Sequence, residues 1–390
     1  MNTSRKSIIP FLLLALVFLI SLACGSSTTD TPTAPETTEE EQVATSGDET
    51  QPESPAEPTN TPEPTDTPEP TPLPPTPTSA PIGLSRSLPF AITELVSAPN
   101  WDIQVLETVR GDAAWQAIQS ANQFNEPAAE GMEYLLVKIH AKCTYADSEE
   151  HSISGADFKV TGDRLIVYTQ SYVVDPEPSL DAQLYAEGEA EGWVSFAVGQ
   201  GEGNLMLIVD ELMNWDDDRY RFIALDEGAS ISVAQDLAGI TATDLGEDRG
   251  SPAPLGETII TENWKVTILE VVRGEGAWAM AQEANMFNEA PAEGMEYVAF
   301  KVHVQYIGTD DKAENISRIF FNTTGSANVV YEDPFLVAPE PGLDAYLYPG
   351  GETEGWAILQ VAIDETNIMV IFEPIFAFTD ADKRFMSLEP

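Results

Sequence analysis

A single spacing constrains this chain more than any figure of composition. Trp101 and Trp264 stand 163 residues apart, and the same offset aligns Arg110 with Arg273, Trp115 with Trp278, Phe124 with Phe287 and Tyr134 with Tyr297. It continues without a gap to Trp193 and Trp356, Met206 and Met369, and Phe222 and Phe385. Such a period is far too long for a solenoid, whose repeats run about 20–50 residues, and each copy is the size of an ordinary single domain. The copies are unevenly alike. Residues 101–140 keep 22 of 40 identities, 141–174 only 9 of 34, and 175–193 return to 13 of 19. Something holds the outer blocks that does not hold the middle one.

Inside each copy the prevailing period is two. Leu135, Val137, Ile139 and Ala141 alternate with Tyr134, Leu136, Lys138 and His140, and the second copy repeats the pattern with Val298, Phe300, Val302 and Val304. Alternation of this kind predicts a half-buried antiparallel strand. Further strands are predicted at 101–109, 157–160, 165–168, 192–198, 204–209 and 220–225, punctuated by Gly, Pro and Asp clusters. Roughly seven short strands per copy make a β-sandwich. One stretch departs from the pattern: "AAWQAIQSANQF", after Gly111 and Asp112, has little β-branching and spaces Trp115, Ile118 and Asn122 by three and four. It predicts a helix of about three turns, N-capped near Asp112 or, in the second copy, near Glu275. Pro127 or Pro291 marks the exit. The helix is expected over the open end of the sandwich, with its Trp and Phe inward.

The segments "EVVRGEGAWAMAQEANMFNEAPAEGMEYVAFKV" and "PGGETEGWAILQVAIDE" resemble the immunoglobulin-like domain of unknown function found in bacterial lipoproteins. That family is related in fold to a secreted mycobacterial immunoprotective antigen. The resemblance covers both copies, roughly 270 residues. It implies mainly β architecture: two tandem immunoglobulin-like antiparallel β-sandwiches, each with one short helix insert. It also implies that residues 131–134 and 188–193, like 294–297 and 351–356, face each other across a sandwich. It implies no catalytic residues.

The amino-terminal end points to export. Arg5 and Lys6 precede an uncharged apolar run at 8–20, which ends in "SLAC". This order describes a secretory signal, and the run is shorter than the about 20 residues a membrane span needs. Cys24 after Leu22 and Ala23 resembles a bacterial lipobox. The resemblance implies cleavage before Cys24 and acyl chains on it, hence residence on the outer face of the cytoplasmic membrane. Beyond it lies a Thr-, Pro- and Glu-rich stretch ending in "TPEPTDTPEPTPLPPTPT", too poor in apolar residues to offset the entropy of ordering. The layout expected is signal peptide 1–23, disordered stalk 24–88, first domain 89–235, linker 236–255 and second domain 256–390. The stalk and tandem arrangement resemble those of surface lipoproteins of filamentous, Gram-positive-like environmental bacteria.

Charge narrows the partners. The chain carries −47, and beyond residue 88 lie 53 of its 65 acids but only 15 of its 18 bases, a net of −38. Nucleic acid is thereby excluded as a partner, because its binding rests on cationic side chains meeting phosphates. Cys143 has no second cysteine to pair with once Cys24 is acylated, its counterpart being Tyr306. It is expected as a small buried residue.

The repeated polar set is the leading candidate binding site. Arg110, Trp115, Asn122, Asn125, Glu130 and Glu133 recur as Arg273, Trp278, Asn285, Asn288, Glu293 and Glu296. Asn and Glu beside an aromatic face can hold a glycan or peptide. The same residues can equally cap a helix and its exit loop, which is the reading favoured here. Asp216, Asp218, Asp380 and Asp382 are weak calcium candidates, since neither loop has the twelve-residue ligand pattern. No cofactor motif occurs, and no nucleophile–base–orienter set can be assembled. The sequence therefore describes a membrane-anchored protein whose partner is an extracellular protein or glycan. An envelope spacer without a ligand is the alternative, and a hydrolase a distant third.

Overall fold

The computed structural model describes residues 81–212, 214, 219–374 and 382–390. Cys24, residues 24–80 of the stalk, Asp216, Asp218 and Asp380 lie outside them, whereas residues 81–88 are described and pack on the first module, with Arg86 buried. The described residues all belong to one compact unit, Pro75–Pro390.

The first module runs β1 (Val96–Ser97), β2 (Trp101–Arg110), α1 (Asp112–Ala121), β3 (Met132–Cys143), β4 (His151–Ser154) and β5 (Phe158–Thr161). It continues with β6 (Ile166–Thr169), β7 (Asp181–Leu184), β8 (Glu189–Gly199), β9 (Met206–Val209) and β10 (Arg221–Ala224). The second module repeats this order as β11 (Thr258–Ile260), β12 (Trp264–Arg273), α2 (Glu275–Ala284), β13 (Met295–Tyr306), β14 (Glu314–Ser317) and β15 (Phe321–Thr324). It ends with β16 (Val330–Tyr331), β17 (Asp344–Leu347), β18 (Glu352–Ala362), β19 (Met369–Phe372) and β20 (Arg384–Ser387).

Each module is an antiparallel, immunoglobulin-like sandwich. In the first, the sheet β1-β2-β3-β8 packs against β10-β9-β5-β6. Trp101, Ile103 and Val105 of β2, the alternate residues Leu135, Val137, Ile139, Ala141 and Cys143 of β3, and Val194, Phe196 and Val198 of β8 meet Phe158, Val160, Leu207 and Ile223 from the other sheet. Each buried aliphatic side chain contributes about 1.5–3 kcal/mol, so the period-two pattern is the source of the core. Cys143 sits in that core as a free thiol, fully buried. On the solvent face, Lys138 and His140 pair across the strands with Glu191 and Glu189 at 3.5 and 3.3 Å.

Two expectations need correction. The strands carrying residues 131–134 and 188–193 do not face each other across the sandwich. They are hydrogen-bonded neighbours in one sheet, with Lys138 opposite Trp193. The helix does not close an end of the sandwich either. It lies on the outer face of that sheet, where Ala114 and Ile118 bury Tyr134 and Leu136. The start of β3 is therefore covered on both sides, and the strand is half-buried only toward its end. Both β2 and β12 carry a bulge just before the helix, between Val105 and Glu107 and between Ile268 and Glu270, which re-aims the strand end. Gly111 and Gly274, not an acidic side chain, occupy the helix N-caps at φ 66°, with Asp112 and Glu275 in the first turn. A Cβ there would strain the left-handed backbone and meet a Glu133 or Glu296 oxygen at 3.0 Å.

The modules meet by strand addition. β17 of the second module pairs antiparallel with β6 of the first, Tyr346 opposite Val167 and Leu347 opposite Ile166. The Tyr348 amide donates to the Leu165 carbonyl at 2.8 Å. Arg86, fully buried, lies 3.7 Å over the Tyr348 ring and donates through Nε to Asp311 at 2.8 Å. Residues 243–254 run along the second module, with Ala253 bridged to Met386 and the Phe385 amide donating to Gly246. They correspond to the stretch of the first module in which Phe90 is bridged to Ile223, so the 163-residue offset reaches back to Arg86 and Arg249.

Candidate functional site

The repeated polar residues are brought together around the helix, and all but Glu130 and Glu293 have a structural task. Arg110 ends β2 and donates from Nε to Glu133 at 2.8 Å, and the Gly201 amide donates to the same carboxylate at 2.8 Å. Arg273 and Glu296 repeat the pair at 2.5 Å, with Arg273 also donating to the Ile363 and Glu365 carbonyls. These ion pairs fasten the helix entry to the start of β3 and the end of β8, or of β13 and β18. Trp115 is half-buried and stacks on Tyr134 at 5.9 Å, and Trp278 lies 6.0 Å from Tyr297.

Beyond the helix, Asn122 accepts from the Phe124 amide and Asn285 from the Phe287 amide, which turns the chain sharply out. Asn125 Nδ2 donates to the Ile118 carbonyl at 2.8 Å and the Val174 carbonyl at 2.9 Å, while its Oδ1 accepts the Val174 amide at 2.9 Å. Asn288 makes the same three bonds to Ala281 and Val337. One amide side chain thus staples the helix C-terminus to the loop that follows β6 or β16. This is the physical reason that Asn recurs here: only a side chain that both donates and accepts can close both bonds to one backbone residue. Glu130 and Glu293 are exposed and take part in none of these bonds. Asp382, far from this cluster, is buried and accepts from the Asn263 amide and side chain at 3.2 and 3.0 Å.

The consequence of the staple is an apolar tip. Phe124 and Phe287, expected inward, are 81% and 82% exposed. They turn outward because Ala114 and Ile118, or Ala277 and Ala281, already fill the space between helix and sheet. The stapled loop adds Tyr172 and Val174 in the first module, and Phe335 and Val337 in the second, all exposed. Phe335 holds a φ of 55°, a conformation that bulky residues rarely adopt and that clusters at functional sites. A groove of about 300 Å³ lies between Ala117, Ser120 and Ala121 of α1 and residues 174–177. Residues 336–340 border one of about 340 Å³ in the second module, with Arg318 and Trp356 on its far side. The two are lined differently, the first by α1 and the second by Ser317, Arg318 and Asp344 with no residue of α2. Asp175 lines the first groove, and its burial pushes its carboxyl above the usual range against a hydrogen bond from Gln170 at 3.2 Å. Ala338 takes that position in the second.

The sequence held a signal for these tips. Tyr172 and Phe335 keep an aromatic at the shared offset inside the segment where little else is kept.

Fold and tip together define a tandem immunoglobulin-like β-sandwich protein with one apolar tip per module. A scan against protein-family models finds none that matches, and a search of curated proteins finds no match. Among solved structures, the chain is similar to one described as a candidate lipoprotein (ycdA) of Bacillus subtilis, with 13% identity and a TM-score of 0.26 over 34% of this chain and 38% of that one. It is also similar to the yjhA protein of Bacillus subtilis, with 14% identity and a TM-score of 0.25 over 35% of this chain and 99% of that one. The chain thus spans about two-fifths of the first and nearly all of the second.

Proposed function

We propose that the chain is an exported lipoprotein, held at the cell surface through Cys24, that presents two immunoglobulin-like modules for non-catalytic binding. The contact face in this reading is the apolar tip of each module, with the groove beside it. The observation that carries it is duplication of exposure. Phe124, Tyr172 and Val174 are matched by Phe287, Phe335 and Val337 at every position, although exposed aromatics cost solubility and add nothing to the core. Aromatic surface with polar groups close by suits the faces of sugar rings or the side chains of an extended peptide. The strong negative charge directs the choice away from nucleic acid and anionic lipid.

A glycan and peptide array probed with the protein is the test. Binding should appear with the wild-type chain and vanish when Phe124, Tyr172, Phe287 and Phe335 are all replaced by Ser, with the melting temperature unchanged. Binding that survives the fourfold change would remove the tips from the reading, and an array without hits would favour a spacer.

For the anchor, Cys24→Ala should move the protein from the membrane fraction to the medium. Retention in the membrane fraction would overturn lipid attachment at that residue. Among the described residues no helix is long and apolar enough to cross a membrane.

A further inference from the structure

The joint between the modules uses a different face on each. The first module contributes an upstream face of Arg86 and the outer edge of β6; the second contributes a downstream face of the outer edge of β17, with Tyr348 and Asp311. Because the modules are copies, each chain carries one unused counterpart of both. On the second module, Arg249 stands for Arg86, and β16, at the edge of its sheet, stands for β6. On the first module, β7 stands for β17, its outer edge is likewise unpaired among the described residues, and Tyr185 stands for Tyr348, but Ser148 takes the place of Asp311, so the Arg86–Asp311 pair has no copy there.

We propose that copies of this chain associate head to tail, β16 of one adding to β7 of the next, so that the strand pairing inside a chain is repeated between chains. Three observations carry it. First, the backbone is already shaped for the contact: Asn328 has a φ of 59°, like the 61° of its counterpart Leu165, whose carbonyl accepts from Tyr348 within the chain. Second, the residues that the joint covers are bare on the free faces. Tyr348 is 5% exposed in the joint, whereas its counterpart Tyr185 is 59% exposed, and Val329 and Val330 of the free edge stand open.

Third, the substitutions between the faces are complementary in charge. Within the chain, Tyr220 and Ala313 belong to one apolar cluster with Tyr348. Their counterparts on the free faces are Lys383, which within the chain pairs with Glu373 at 3.0 Å, and Glu150, which accepts from Tyr185 at 3.3 Å, one on each side of the new contact. Arg249, which now hydrogen-bonds Asn328 and the Gly325 carbonyl, adds a second cation opposite Glu150. An exposed strand edge is a ready template for another chain, and a contact between two different faces has no closing twofold. The product is an open string of modules or a ring.

The test is sedimentation of the full chain in detergent, at about 0.15 M salt so that repulsion beyond about 8 Å is screened. Wild-type protein should grow in mass with concentration beyond one chain per particle. Val330→Glu and Tyr185→Glu, both on exposed residues, should each abolish that growth. Mixed in equal amounts they should form dimers and nothing larger, since each retains the face that the other has lost. A wild-type chain that stays monomeric, oligomers that persist in either variant, or a mixture that forms no dimer would each overturn the proposal.

Discussion

Trp101→Ala should cost the first module about 3–5 kcal/mol, the range for emptying a core site of a large aromatic. Trp101 is 1% exposed, presents its ring edge-on to Tyr145 at 6.1 Å, and donates from the indole to Glu211 at 3.2 Å. Glu211 gathers three further bonds, from Asn100, Tyr145 and Asn214. Burial alone would raise its carboxyl, yet these bonds together hold it below the usual range. Losing the indole therefore opens a cavity and takes a donor from a buried carboxylate. Urea unfolding followed by circular dichroism measures the effect, and a loss below about 1 kcal/mol would mean that the site collapses around the gap. Trp101→Phe separates the parts, because it restores most of the packing but not the hydrogen bond.

Asp311→Ala is the second large effect, and it acts on the joint. Arg86 is fully buried and donates from Nε and Nη2 to one Asp311 oxygen at 2.8 and 2.6 Å. Removing one partner of a fully buried pair costs about 3–5 kcal/mol, but the Asp311 side chain is 29% exposed, and screening reduces the figure to about 1–3 kcal/mol. Calorimetry should then show the modules melting in two separated steps where the wild type melts in one. Arg86→Met should be milder, since it removes the charge together with its need for a partner. Equal losses from both changes would contradict the view that the penalty comes from a stranded cation.

The sequence displayed what the two copies share. The constant offset, the alternation in β3 and β13, and the break in period at Trp115 and Trp278 led to two sandwiches with one helix each. Pattern alone did not locate the helix. Tyr134 and Leu136 look like solvent-face residues until a second layer covers them, and that covering belongs to tertiary structure. The same error turned Phe124 inward: a large apolar residue after a helix is expected in the core unless smaller ones have already filled it.

The recurrence of Asn125 was visible but not its reason, because its partner Val174 lies 49 residues away at a backbone position with no marker of its own. Sequence similarity also concealed the joint. Tyr185 and Tyr348 are identical residues in nearly identical surroundings, yet one is bare and the other covered. What covers Tyr348 is β6 of the other module, a partner that its own copy does not contain.

The strand shared by the modules bears on how a binding partner is engaged. A flexible tether would let each tip search independently. Here β6 and β17 belong to one continuous sheet with a buried arginine beside it, so the tips are held as a fixed pair. Were the tips to bind as proposed, a partner with repeating units at the matching distance would gain its second contact at high effective concentration, and one with another spacing would gain nothing from it. Under the binding role proposed for the tips, the joint would let the protein respond to the period of what it touches.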